Sequence, residues 1–419
     1  MSLSTKRRAL LALALGAVPL LAIGGCAQGG DTGGAPSTVR MLVNITDNLT
    51  PEYWDALVKP FEEQSGLDVK IEAPTGKDVA STFPTLLAAG TAPDVVQSIT
   101  PQTDTAPELV DLSGEDWAKD TPLVDKYAID GKRLVAGAGM QAQSLVFYNK
   151  KAFQAAGITE TPKYWDQFEV SLGKLKTAGY IPLQTGGQWL TGLQVQQLWH
   201  PTLNTQHPDW VQSLAKGDLA LGDAYEPILK RYADWIHAGY INKSDVGLDS
   251  SGADANFIAG KVGFYTGGSW FASSLKKTGN LPFEVGVFSP PVESGQAYPG
   301  PQGATLGAPY SIWKGAKNLD GAKALVKYLV TDKKAIQTQL DADGIFRAGF
   351  TTSVTGVGAG IQGIVDAAPG LVLPANNDVR MPVTGFNQEF TTVAQKVYSG
   401  TSSGDAAKSL NQWFKDNRR

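Results

Sequence analysis

The stretch VRMLVNITDNLTPEYWDALVKPFEEQSGLDVKIEAPTGKDVASTFPTLLAAGTAPDVV, residues 39–96, decides the fold class. Val39–Ile45 (VRMLVNI) reads as a strand. Thr50 stands where a helix cap belongs, and Pro51 takes the first helical position, where its missing N–H costs nothing. Trp54, Leu57, Val58 and Phe61 recur at the spacing of one helix face, and Gly66 ends the run. Pro60 inside that pattern predicts a kink. Leu67–Ala73 alternates as a second strand, Asp78–Ala89 reads as a second helix stopped by Gly90, and Asp94-Val95-Val96 opens a third strand. Strand, helix, strand, helix, strand in so short a span predicts a mostly parallel, helix-covered sheet.

Working outward, the same grammar continues. Ser144–Tyr148 reads as a strand, Lys150–Ala156 as a short helix ended by Gly157, and Trp165–Ala178 as a helix followed by Gly179. Val262–Thr266, Phe283–Phe288 and Ser311–Trp313 are strand candidates. Leu319, Ala322, Leu325, Val326 and Leu329 mark an amphipathic helix, and two more follow through Phe386–Val397 and Ala407–Phe414.

The N-terminus has a different character. Lys6, Arg7 and Arg8 precede an apolar run from Ala9 to Ile23, too short for comfortable membrane crossing and of the dimensions of a signal-peptide core. It ends Leu21-Ala22-Ile23-Gly24-Gly25-Cys26, and Cys26 is the single cysteine of the chain. These residues resemble the bacterial lipobox, which implies cleavage after residue 25 and lipid attachment at Cys26. Ala27–Thr38, rich in Gly, Ser, Thr and Pro, reads as a flexible tether.

Composition excludes several classes. A net charge of −4 lacks the basic excess of a nucleic-acid binder. One Cys excludes an intramolecular disulfide, and three His (His200, His207, His237) without close spacing give no metal-site pattern. No phosphate-binding G-x-x-x-x-G-K-[ST] loop occurs. Gly358-x-Gly360-x-x-Gly363 fits a dinucleotide fingerprint but lacks a preceding buried strand, and Pro369 follows closely. Gly400-Thr401-Ser402-Ser403-Gly404 fits a nucleophile elbow, yet every His precedes it, and capping of the last helix by Ser403 or Asp405 explains it.

Five segments, in order, resemble the extracellular solute-binding proteins of bacterial ABC importers, in the sugar-binding family that includes maltose-binding protein. They are Leu86–Val96 (LLAAGTAPDVV), Val146–Ile158 (VFYNKKAFQAAGI), Thr161–Phe168 (TPKYWDQF), Gly260–Trp270 (GKVGFYTGGSW) and the Leu319–Asp332 helix. The resemblance implies an α/β, type II periplasmic-binding-protein fold. Its two domains, each a helix-covered and mostly parallel sheet, would be hinged by crossover strands and close over ligand. The chain would cross near 141–144, 304–311 and 352–359. Domain one would then be 39–142 plus 308–354, and domain two 143–307 plus 355–419. The implied function is a lipid-anchored, monomeric receptor on the outer face of the cytoplasmic membrane. It would use no cofactor and no catalytic residue, and would bind a mono- or oligosaccharide and deliver it to a membrane permease. A lipid-anchored carbohydrate-active hydrolase and a receptor for a non-sugar solute stand as the alternatives.

A sugar offers flat C–H faces and a ring of hydroxyls, so its pocket needs aromatic faces and a few amides or hydroxyls near strand C-terminal ends. Trp270, behind Gly267-Gly268-Ser269, matches the family's stacking aromatic, and Trp189 with Gln188 follows Gly186-Gly187 in a similar setting. Asn44 ends the first strand, and Gln97 and Ser98 follow the Pro-Asp-Val-Val strand, where relatives make contacts. Gln302, Arg347, and Phe386 with Asn387 at the start of a C-terminal helix complete the candidates. Trp54, Trp165, Trp235 and Trp413 fall on helix patterns and read as packing residues.

Overall fold

In a computed structural model of the chain, the described residues are 37–46, 48–75, 78–350, 356–375 and 378–418. The signal segment, Cys26 and nearly all of the tether lie outside them. No helix among the described residues is long and apolar enough to cross a membrane.

The chain first lays down β1 (Thr38–Leu42), α1 (Pro51–Ser65), β2 (Asp68–Glu72), α2 (Val79–Ala88), β3 (Val95–Gln97), α3 (Asp116–Lys119) and β4 (Ala136–Ala142). A second group follows: β5 (Leu145–Asn149), α4 (Lys150–Ala155), α5 (Trp165–Thr177), β6 (Ile181–Gln184) and α6 (Gln188–Gln206). It continues through α7 (Trp210–Lys216), α8 (Leu221–Ala238), α9 (Ser250–Ile258), β7 (Val262–Gly267), α10 (Trp270–Thr278) and β8 (Val285–Phe288). The return path is β9 (Gln302–Ile312), α11 (Leu319–Thr331), α12 (Lys333–Asp343), α13 (Val357–Ala367), β10 (Leu371–Val372), α14 (Phe386–Tyr398) and α15 (Ser403–Asn417).

Two sheets result. The first runs β10-β9-β3-β1-β2 with β4 also on β9, and the second runs β6-β7-β5-β8. Both are mixed rather than mostly parallel. β1 pairs with β2 and β3 in parallel, as the opening stretch predicts, but β9 runs antiparallel to β3 and β4. In the second sheet β6 and β7 are parallel, while β5 is antiparallel to β7 and β8. The chain leaves the first sheet at the end of β4 and returns to it at the start of β9, and these two strands pair antiparallel. The passage from the first sheet to the second falls at residues 143–144, between β4 and β5, with Ser144 at φ 58°. β10 joins the first sheet although it lies in the 355–419 segment expected in domain two.

Local chemistry sets the boundaries. The Thr50 hydroxyl accepts from Tyr53 N–H, and Gly66 closes α1 in the left-handed region at φ 72°, with its N–H on the Glu62 carbonyl. The buried α1 face is Trp54, Leu57, Val58 and Phe61, packed with Val39, Met41, Leu325 and Leu329. Burying each such side chain stabilises by about 1.5–3 kcal/mol. A second core gathers Trp165, Phe168, Trp199, Tyr225, Trp235, Phe264 and Phe390 beside the second sheet. Trp54, Trp165 and Trp235 are thus packing residues, as their spacing indicates, and His200 is buried against the Tyr225 hydroxyl. Gly358, Gly360 and Gly363 all lie in the body of α13, and Ser402, one residue before the expected cap, caps α15 by accepting from Asp405 N–H.

Candidate functional site

A cavity of about 400 Å³ opens where the C-terminal end of β3 meets the start of α14. One wall is Ala80, Phe83 and Pro84 of α2 with Ser98–Thr100, Gln102, Asp104 and Thr105. The other is Ala375, Asp378, Met381 and Val383–Asn387. Of the residues singled out from sequence, Ser98, Phe386 and Asn387 line it together. Apolar side chains come from both segments, hydroxyls and amides complete the lining, and no Lys or Arg lines it among the described residues. Its acids are Asp104 and Asp378; the latter is 1% exposed and accepts from the Arg380 backbone N–H and guanidinium. A neutral hydroxylated ligand suits such a surface better than an anion.

Backbone geometry fixes the walls. Ser98 holds φ 63°, uncommon for a residue with a side chain, and its N–H donates to the Pro309 carbonyl at 3.0 Å. Gln97 is 2% exposed, and its side-chain oxygen accepts from Asn44 N–H at 3.1 Å, which joins the ends of β1 and β3. The Asn44 side-chain oxygen accepts from Val79 N–H at 2.9 Å, and its carbonyl accepts from Trp54 Nε1. Asn44 and Gln97 therefore brace α2, which carries Phe83 and Pro84 to the cavity, and do not line the cavity themselves. Phe386 is 3% exposed, with its ring against Tyr225 and Phe390.

Both tryptophan loops leave the C-terminal ends of β6 and β7, neighbouring parallel strands. Gln188 opens α6 at φ 52°, and its carbonyl accepts from Gln395 Nε2. Trp189 follows, 47% exposed. Ser269 is buried; its N–H donates to the Ala142 carbonyl at 2.9 Å and its hydroxyl donates to the Gly344 carbonyl. Trp270 opens α10 half-buried, its ring lying back over Gly268, where a Cβ would overlap the indole. Gln194 of α6 ties the two loops together: its oxygen accepts from Gly186 N–H at 3.1 Å and its nitrogen donates to the Thr266 carbonyl at 3.1 Å.

Gln302 and Arg347 lie elsewhere. Gln302 is fully buried at the start of β9 and donates to the Ser144 carbonyl beside the crossing. Arg347 donates to the Ala138 and Val330 carbonyls, which ties β4 to the end of α11, and its guanidinium faces Phe350. Burial lowers its pKa from the ordinary arginine value.

A further cluster escaped the sequence reading. Asp343, at the end of α12, accepts from Gln141 Nε2 at 2.7 Å, with Asn48 also bonded to its carboxyl. Desolvation pushes this carboxyl up to about 7, against those bonds and the charge of Lys277. The next residue, Gly344, at φ 56°, abuts the Ser269 backbone so closely that a Cβ would overlap it. Asp343 carried no signal in sequence because its partners come from β4 and the loop after β1.

The sequence model of the bacterial extracellular solute-binding protein family matches residues 47–336, and the chain belongs to that family. Among characterised relatives, the diacetylchitobiose-binding protein DasA of Streptomyces coelicolor is 26% identical over 359 residues, covering 78% of this chain and 79% of DasA. A probable sugar-binding periplasmic protein of Mesorhizobium japonicum is 29% identical over 161 residues, 37% of each chain. Among solved structures, a chitin oligosaccharide binding protein superposes with a TM-score of 0.77 at 20% identity, over 93% of this chain and 99% of that one. The solute-binding protein RafE in complex with raffinose gives 0.74 at 21%, over 90% and 99%. These likenesses establish the fold as that of type II periplasmic binding proteins.

Proposed function

We propose that the chain is the extracellular receptor of an ABC importer and binds a neutral saccharide in the cavity between the β3 loop and the start of α14. The observation that carries this reading is the cavity's make-up: apolar side chains, hydroxyls and amides, with no Lys or Arg among the described residues that line it. Family membership and the saccharides named for DasA, RafE and the chitin oligosaccharide binding protein support the same class. An oligosaccharide extending beyond the cavity would meet Trp189, whose exposed indole is suited to a sugar's C–H face, and Trp270 would contribute an edge. Ser98, Asn387 and the first-turn N–H groups of α14 would meet its hydroxyls. Hinge closure over the ligand would present a surface to the permease, and the saccharide would be released unchanged.

Lipid attachment at Cys26 would hold the receptor at the outer face of the cytoplasmic membrane, with residues 27–38 as tether. A thermal-shift panel of chito-, raffinose-type, malto- and xylo-oligosaccharides tests the ligand class. One series should raise Tm in a concentration-dependent way with no cleavage product. Absence of any shift, or steady release of products, contradicts the reading. Metabolic labelling with a fatty acid, lost in Cys26→Ala, tests the anchor.

A further inference from the structure

α6 is an unusual helix: Gln194, Gln196, Gln197, His200 and Asn204 are all nearly inaccessible along it. Gln194 is paired at both ends of its amide, and Gln197 donates to Gln143 in the segment that crosses between the sheets. The Gln197 oxygen has no partner among the described residues, and Gln196 repeats that pattern, but its one bond goes to a residue that lines the cavity. Gln196 is 1% exposed, its nitrogen donates to the Asn387 side-chain oxygen at 3.2 Å, and its own oxygen has no partner among the described residues. A buried, half-satisfied amide is costly, and it is retained most readily where its one bond orients something.

That bond has a consequence for the cavity. Asn387 lines it, and with its oxygen committed to Gln196 its NH₂ group remains for a ligand. The geometry points to Gln196 as a positioning residue that fixes the Asn387 amide as a hydrogen-bond donor toward the cavity. The group it selects is an oxygen acceptor on a neutral ligand, an acetamido carbonyl or a hydroxyl oxygen. The inference rests on the receptor reading for its ligand but not for its geometry. The nearby first turn of α14 adds further donors on the same wall.

The test is a double-mutant cycle with the best saccharide of the thermal-shift panel. Gln196→Met keeps the side chain's bulk and removes both the bond and the unpartnered oxygen. Affinity should fall roughly two- to tenfold, the value of one net hydrogen bond, while Tm holds or rises. Asn387→Asp keeps an acceptor for Gln196 and loses the donor, so affinity should fall with the fold intact. In an Asn387→Ala background, Gln196→Met should change affinity no further. Wild-type affinity in Gln196→Met, or losses that multiply in the double variant, would overturn the assignment. A second arm needs no ligand. In the free protein, the side-chain NH₂ resonances of Gln196 should be protected from hydrogen exchange and those of Asn387 should exchange rapidly. The reverse pattern overturns the inference even if a saccharide binds. If no saccharide binds, the receptor reading fails and the exchange pattern still decides the orientation.

Discussion

Residues 186–189 and 267–270 read Gly-Gly-Gln-Trp and Gly-Gly-Ser-Trp, and each joins the end of a strand to the start of a helix. The two strands are parallel neighbours, so the loops begin from equivalent places. Their outcomes differ. Trp189 is 47% exposed, whereas Trp270 is half-buried and folded back over Gly268. Tertiary contact makes the difference. The second loop meets the end of α12, where the Ser269 hydroxyl donates to the Gly344 carbonyl. The first is pinned by Gly187 against the Val246 carbonyl, which leaves its indole outward. Equal local sequence thus yields one indole held and one presented.

The comparison can be broken at several points. The largest effect is expected for Gly344→Ala. A Cβ there would overlap the Ser269 backbone at a residue already at φ 56°, and the loss should be about 3 kcal/mol by denaturant unfolding. Near-wild-type stability would mean that the α12 contact does not hold the second loop. Next is Gln194→Met, which strands the Gly186 N–H and the Thr266 carbonyl; about 2 kcal/mol of stability should go, and ligand affinity with it. Trp270→Ala should cost about 1.5 kcal/mol of stability, half the value of a fully buried aromatic, while Trp189→Ala should leave stability unchanged and weaken saccharide binding roughly tenfold. Reversal of the two would invert the account of which indole is presented.

A separate test is a pH dependence. The Asp343 carboxyl is raised to about 7 in the folded chain, against about 4 when unfolded. The folded state therefore holds the extra proton between those values, and stability falls as pH rises from about 4 through about 7. Asp343→Asn should flatten that slope and raise Tm more at pH 8 than at pH 4. Asp245, pushed up to about 6 by burial, adds a slope of the same sign that the variant leaves in place. An unchanged Tm difference across this range would show that Asp343 does not carry the proton.

Much of the fold was legible where periodicity and caps agree. α1 runs from Pro51 to Ser65 with Thr50 and Gly66 as caps, as its sequence indicates, and α2 lies within the span read as a helix, with Asp78 as its cap. What escaped had its local signal cancelled by packing. β9 extends from Gln302 to Ile312, though Gly303, Gly307 and Pro309 punctuate it like a loop. Those glycines are there because Gln143 and Ile345 press against the strand, and Gly139 in β4 meets Phe346 in the same way. α6 was hidden for a related reason: it is buried on most sides and rich in amides, so it shows no apolar stripe. Of the residues lining the candidate cavity, Ser98, Phe386 and Asn387 were singled out from strand and helix ends. Phe83, Pro84, Gln196 and Asp343 were not, because nothing in their own segments says what they face.

The most direct measurement is isothermal titration calorimetry of the wild-type protein and Trp189→Ala with a neutral oligosaccharide series, with product analysis of the same samples. The expected result is 1:1 binding without cleavage and a Kd roughly tenfold higher in the variant. Absence of saccharide binding by the wild type, cleavage of the ligand, or equal affinity in the two proteins would contradict it.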